Sequence, residues 1–258
     1  MSYLCIAKKD CDGLCHQRTK HRRGIEPRLS LPRKRRSGLS TSSFKLIPLD
    51  TVQLTPPQTV YYTLLFRASG RGSKVLTDKF GDSLERMTAV TDRHSAYFAL
   101  HFMNHQVCLA HLLRELQYLS ELNTEQNWSE QIAGIFREAI HERNIHPTSV
   151  INKSSWMKRL DDMLKQNISD LGEKFDTFKR GLIKCRDYIF NFLEDPSIPS
   201  DNNESERGIR KLKIKLKNSC TFRSDFGADA FLELHSIVET AKKNNQTPFN
   251  AIQALFEA

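Results

Sequence analysis

The sequence predicts an α+β fold with its strands placed early and helices making up the remainder. Strand-like apolar runs occur only between residues 44 and 107, whereas from about residue 108 the apolar residues recur at helical spacing. A chain of 258 residues is long enough to bury a full core, either as one large domain with an insertion or as two small ones.

Residues 1–43 read as one compositional block, containing Arg33-Lys34-Arg35-Arg36 and serines at 37, 40, 42 and 43, with no sustained period of 2 or 3.6. Little regular structure is expected there. One reading is a basic tail for DNA. The other, which is preferred, is a divergent or frame-shifted start that does not belong to the fold. Cys5, Cys11, Cys15 and His16 do not make a zinc site, because structural zinc uses short Cys-x2-4-Cys pairs and only the second interval approaches that spacing.

From Phe44 the pattern changes. Phe44-Lys45-Leu46-Ile47-Pro48-Leu49 and Val60-Tyr61-Tyr62-Thr63-Leu64-Leu65-Phe66 are strand-like, separated by the breaker Pro56-Pro57, and the second is the stronger. Gly70-Arg71-Gly72 makes a turn, and Ser73 is a cap for a helix carrying Val75, Leu76 and Phe80. Met87–Thr91 is a short buried strand that delivers Asp92 at its carboxyl end, where α/β sites collect. The competing reading makes Asp92 only a cap for the next helix, which carries Tyr97 and Phe98.

Residues 106–109 form one more strand, ending the first part of the core at residue 107. A helical segment follows over 108–195. Its stripes are Leu109, Leu112, Leu113, Leu116 and Leu119; then Trp128, Ile132, Ile135, Phe136 and Ile140; then Trp156, Leu160, Met163 and Leu164; then Leu182, Cys185, Tyr188, Ile189 and Phe192. Residues 196–258 close the fold. Pro196 and Pro199 stop the preceding helix, and Ser200, Asp201 and Asn202 cap one that holds Glu206 in its first turns. Phe231, Leu234, Val238 and Ala241 mark another helix, and Thr247-Pro248 caps a terminal one.

On the Glu206 helix, Glu206, Arg210, Lys213 and Lys217 share one stripe and Ile209, Leu212 and Leu216 the adjacent one. A carboxylate beside several cations suits metal-dependent phosphoryl transfer, since the acid holds a divalent ion while the cations hold the DNA backbone. Taken alone, the local sequence favours a solvated helix with an i,i+4 Glu206/Arg210 pair. Lys217 through Ser224, with Phe222 and Arg223, offers cations, hydroxyls and an aromatic suited to phosphates and to an unpaired base.

Bulk charge is not the source of any DNA affinity in the body of the chain. The net charge is +9, but residues 1–45 hold twelve Lys/Arg and three Asp/Glu, leaving 27 of each sign elsewhere. Affinity there must come from clustering on one face. The six cysteines lack a disulfide-framework spacing and no apolar run is long enough to span a membrane, so a reducing cytoplasm is the expected compartment.

Three ordered motifs carry a family resemblance. They are Asp92-x4-Tyr97; then Cys108-x2-His111-x2-Arg114-Glu115; then Asp201-Asn202-Asn203 running through Glu206-Arg207 to Arg210, with Lys217-Asn218-Ser219 and Thr221-Phe222-Arg223 behind. Over roughly residues 58–258 the chain resembles the insertion-sequence sixty-six family of bacterial DDE transposases. The resemblance implies a ribonuclease-H-like core, incomplete here at its first strands, with an all-helical insertion between the last two acids. It implies metal-dependent cleavage and transfer of DNA strands at the element ends, near the nucleoid, and it allows a homo-oligomer.

By that resemblance Asp92 is the second catalytic acid and Glu206 the last, both ligands of Mg2+ or Mn2+. Arg207, Arg210, Lys213, Lys217 and Arg223 face DNA. No Asp-Glu-Thr-like motif precedes Asp92; Asp50 is the only nearby acid after a strand-like run, but Thr51-Val52-Gln53 follows it. An inactive copy is therefore expected, and a non-catalytic DNA-binding or regulatory remnant is the alternative. Zinc at Cys108 and His111 would need two further ligands; the preferred reading makes them core residues that orient the helix beneath Asp92.

Overall fold

The computed structural model describes residues 2–6, 45–50, 62–68, 72–219 and 222–257, the first two stretches by their backbone alone. Five strands form one sheet: β1 (Ser2–Ile6), β2 (Lys45–Asp50), β3 (Thr63–Ala68), β4 (Met87–Thr91) and β5 (Asn104–Val107), in the order β3-β2-β1-β4-β5. β1, β2 and β3 form an antiparallel meander, while β4 runs parallel to both β1 and β5. Helix α1 (Ser73–Phe80) and a 3-10 turn, Gly81–Arg86, make the crossover from β3 to β4.

The order revises the strand inventory. A strand expected to be absent is supplied by Ser2–Ile6, within the block predicted to be a tail without regular structure. The reason is length: Tyr-Leu-Cys-Ile is too short to display a period, and the basic residues after it dominate the composition. Every residue of β4 is buried, as expected for a strand flanked on both sides and covered on both faces. Leu76 of α1 and Leu84 pack with Ala68, Met87, Ala89 and Tyr97 beneath it.

Neither edge of the sheet is left open. Along β3, helix α9 (Asp225–Lys243) supplies hydroxyls where a further strand would supply carbonyls: Leu65 N–H donates to Ser236 Oγ at 2.8 Å and Thr63 N–H to Thr240 Oγ1 at 2.9 Å. Arg67 adds a two-point contact to Asp229, at 3.1 and 3.0 Å. An edge strand with unpaired amides invites intermolecular pairing, and this helix removes that option. Along β5, Gln106 Nε2 donates to Ile189 O at 2.7 Å, Gln106 Oε1 accepts from Phe192 N at 3.0 Å, and Asn191 Nδ2 donates to His105 O at 2.6 Å.

Those β5 contacts latch on the helical segment: α2 (Leu109–Leu122), α3 (Trp128–Ile145), α4 (Ser154–Lys165), α5 (Glu173–Cys185) and α6 (Asn191–Glu194). The predicted stripes meet in one core, with Ile132, Phe136, Phe175, Phe190 and Phe192 wholly buried. Trp128 donates its indole N–H to Met163 O at 3.1 Å, so its polar atom is satisfied where its ring is buried.

Three local expectations change. Ser73 begins α1 rather than capping it, the cap being Gly72, and the residues carrying Tyr97 and Phe98 make a short 3-10 turn, Ser95–Ala99. The Glu206 helix is two pieces, α7 (Asn203–Gly208) and α8 (Arg210–Ser219), interrupted at Gly208-Ile209, where glycine weakens a helix interior. The apolar stripe survives the break: Ile209 and Leu212 are buried against Leu65 and Leu232, with Leu216 packed alongside. After α9, Thr247 caps α10 (Pro248–Gln253) as the sequence predicts, its side chain accepting from Asn250 N. Among the described residues no helix is long and apolar enough to cross a membrane.

Candidate active site

Asp92 stands directly after β4, 4% exposed. Its Oδ1 accepts the His94 N–H at 3.0 Å, the turn that aspartate commonly makes with the amide two residues on. The other oxygen, Oδ2, is buried and has no hydrogen-bond partner. A single oxygen thus serves the turn, and the second is left facing a desolvation cost that a bound cation would offset. Asp92 does not cap the 3-10 turn that carries Tyr97 and Phe98; the cap of that turn is His94, whose side chain accepts from Ala96 N.

Glu206 sits in α7 with its side chain 23% exposed. Its Oε1 lies 3.1 Å from His111 Nε2 and its Oε2 lies 3.6 Å from Arg114 Nη2. Burial, and then the Arg114 charge, lower the His111 pKa below the ordinary histidine value, opposed by the negative fields of Glu206 and Asp92. A neutral imidazole facing a carboxylate must carry its proton on Nε2, which therefore donates. His111 Nδ1 is buried without a partner.

α2 links these two acids. Cys108, at its start, donates its N–H to Thr91 O at 2.8 Å and accepts the Asn202 N–H on Sγ at 3.4 Å; the next amide, Leu109 N–H, donates to Ser200 O at 2.9 Å. The end of β4 and the approach to α7 are thus tied to one helix terminus. One turn on, His111 and Arg114 reach Glu206, and Glu115 pairs with Arg93, the residue after Asp92. Each polar member of the Cys-x2-His-x2-Arg-Glu run therefore contacts a segment that bears an acid.

Cys108 has a protonated thiol at neutral pH. Burial pushes its pKa up to about 11, although the amides of Asn202, His111 and Ala110 oppose that shift. Its sulfur is engaged as an acceptor for the Asn202 N–H. The other buried cysteine, Cys185, is pushed up to about 12, again mainly by burial. Among the described residues no group of three or more His, Cys, Asp and Glu side chains is arranged to hold a metal ion.

The strands that neighbour β4 in the sheet are β1, Ser-Tyr-Leu-Cys-Ile, and β5, Asn-His-Gln-Val, and neither includes a carboxylate. Asp10 and Asp12 lie outside the described residues. Asp50 ends β2 at the register position opposite Cys5, and Cys5 is opposite Val90. That places the Asp50 backbone two strands from the Asp92 strand, about 10 Å across and about 7 Å along by ordinary strand spacing and rise.

Of the predicted DNA-facing residues, Arg207, Arg210, Lys217 and Arg223 are exposed and Lys213 is half-buried. Phe222 is turned inward. Its ring lies 5.3 Å from that of Phe231 and packs against the Leu65–Leu232 core, so it is not free to stack on a base. Arg93 and Glu115 carry no site role in the sequence reading; only their proximity in the folded chain reveals them.

Comparison with protein families matches a model described as transposase IS66 family to residues 51–230. Comparison with curated proteins and with solved structures found no match.

Proposed function

Because the chain belongs to the IS66 family of transposases, we propose that its sheet and flanking helices form a ribonuclease-H-like core in which Asp92 and Glu206 hold a divalent Mg2+ or Mn2+ ion. The meander of β1 to β3 followed by parallel β4 and β5 supports the core assignment, since such a core opens with a hairpin of strands. The observation that carries the site is the α2 bracket: Cys108 tied to the end of β4 and to the approach to α7, with His111 and Arg114 on Glu206. In this reading Cys108 and His111 are positioning residues rather than zinc ligands.

The residues fit a cation on one specific ground, the buried unpartnered Oδ2 of Asp92. Such an ion, when bound, activates an attacking water and neutralises charge at the scissile phosphate. Asp92 would supply the open oxygen, and His111 and Arg114 would keep the Glu206 carboxylate turned towards it. Arg207, Arg210, Lys213, Lys217 and Arg223 would hold phosphates of the element ends along α7 and α8, whose apolar residues are committed to the core.

In this copy the strand beside β4 brings no acid, and Asp50 is two strands removed from Asp92. With no carboxylate on the strands flanking β4 among the described residues, the behaviour expected on this reading is DNA binding with a silent cleavage step. Electron paramagnetic resonance titration with Mn2+ tests the metal assignment. Asp92→Asn and Glu206→Gln should each weaken binding by at least about tenfold, and wild-type affinity in both variants would overturn it.

A further inference from the structure

One contact remains unexplained by that site. Arg93 follows Asp92, and its side chain, 17% exposed, runs away from the sheet to the helical segment. Its guanidinium pairs with Glu115 of α2, stacks on Phe178 of α5 with Cζ 4.6 Å from the ring centroid, and donates from Nη1 to Phe178 O at 3.4 Å. A glycine makes the approach feasible. Gly181 lies in the interior of α5, and a Cβ there would stand 2.2 Å from Arg93 Nη1. Glycine weakens a helix interior relative to alanine, and at this position it leaves the space that the guanidinium fills.

We infer that Arg93 is a positioning residue through which α5 fixes the Asp92 carboxylate, with Gly181 providing the space for the guanidinium. The inference rests on the metal reading of Asp92 for its function, but the mechanical part stands apart from it. Arg93 lies between Asp92 and His94, the two ends of the Oδ1–amide turn. Holding the Arg93 side chain at Phe178 and Glu115 limits rotation of the backbone between them, and thereby the direction of Oδ2. The helical segment so becomes a part of the site without contributing a residue that touches metal or DNA.

Gly181→Ala is the informative change, because the added methyl meets only the far end of a flexible side chain. Arg93 must move while the helix itself is favoured. The experiment uses the full 258-residue chain carrying Gly181→Ala, Arg93→Lys, Arg93→Ala, the double substitution Gly181→Ala/Arg93→Ala, or Asp92→Asn. Two readouts are taken: Mn2+ affinity by electron paramagnetic resonance, and hydrogen exchange of the His94 amide without metal.

The expected result is an affinity loss of about tenfold for Gly181→Ala and for Arg93→Ala, with faster His94 exchange in both and an intermediate effect for Arg93→Lys. The double variant should be no worse than Arg93→Ala, since Gly181 acts only through that side chain. Wild-type exchange at His94 in both Gly181→Ala and Arg93→Ala overturns the inference, as does an additive double variant. Wild-type Mn2+ affinity in Asp92→Asn instead removes the metal reading, and the His94 exchange rates then decide the positioning role alone.

Discussion

His105 offers the most direct check on how the β4–β5 pair is built beneath Asp92. Its ring is buried among Phe98, Phe102 and Tyr188, with centroids 5.2, 5.4 and 4.8 Å away, and its Nε2 is 2.7 Å from Thr91 Oγ1. Burial lowers its pKa from 6.5 to about 4. The folded state thus binds this proton less readily than the unfolded chain, so the stability it confers is complete above pH 6.5 and is lost as pH falls towards 4. The gap corresponds to about 3 kcal/mol, of which about 2 kcal/mol should be gone by pH 5. Urea unfolding of wild type and His105→Gln at pH 7.5, 6, 5 and 4.5 isolates the effect, because the remaining groups titrate in both proteins. The wild type should lose stability more steeply, the difference between the two proteins shrinking by about 2 kcal/mol between pH 7.5 and 5. Parallel curves between pH 7.5 and 5 would refute the buried neutral imidazole.

Ser236→Ala leaves the buried Leu65 N–H without an acceptor and should cost about 1–3 kcal/mol in urea unfolding, whereas Thr247→Ala, at a cap on the surface, should cost about 1 kcal/mol. Joint replacement of Arg207, Arg210 and Lys217 by alanine should lower affinity for fluorescent duplex DNA and reduce its salt slope by about 3, while Glu206→Gln leaves both unchanged; an unaltered triple variant would make that stripe a solvated face only. With Mg2+ or Mn2+ and a labelled duplex carrying the element ends, the chain should give neither nicked nor joined products. Products that vanish on Asp50→Asn would make Asp50 the third acid.

The strand Met87–Thr91 was readable as a short apolar run and the helices of residues 109–194 by their long periods and distinct polar breaks, whereas the strand expected at 106–109 lies at Asn104–Val107 because Leu109 already belongs to α2. Glu206 at a helix start and the burial of Ile209 and Leu212 were readable for the same reason. The pairing of Arg93 with Glu115 was not. It joins residues 22 positions apart through a guanidinium whose path depends on the absence of a side chain at Gly181, and no local pattern encodes that. The inward turn of Phe222 was equally hidden, since a basic loop with an aromatic has the same composition whether its ring faces DNA or Phe231.

The first strand is the instructive case, because sequence and sheet give different parts of the answer. Residues 2–6 look like a fragment of a basic block, yet their backbone fills the position between β2 and β4 and completes the parallel register with Met87–Thr91. Geometry is satisfied by any short run that can pair on both sides, and Tyr-Leu-Cys-Ile can do so. Chemistry is stricter: a site that positions two ions needs a carboxylate at the strand beside Asp92, and none of these five residues has one. The described residues thus keep the sheet and the α2 bracket on Asp92 and Glu206, while neither strand flanking β4 carries a carboxylate. On the metal reading proposed above, this combination makes DNA binding without cleavage the expected behaviour, and the duplex-cleavage assay decides it.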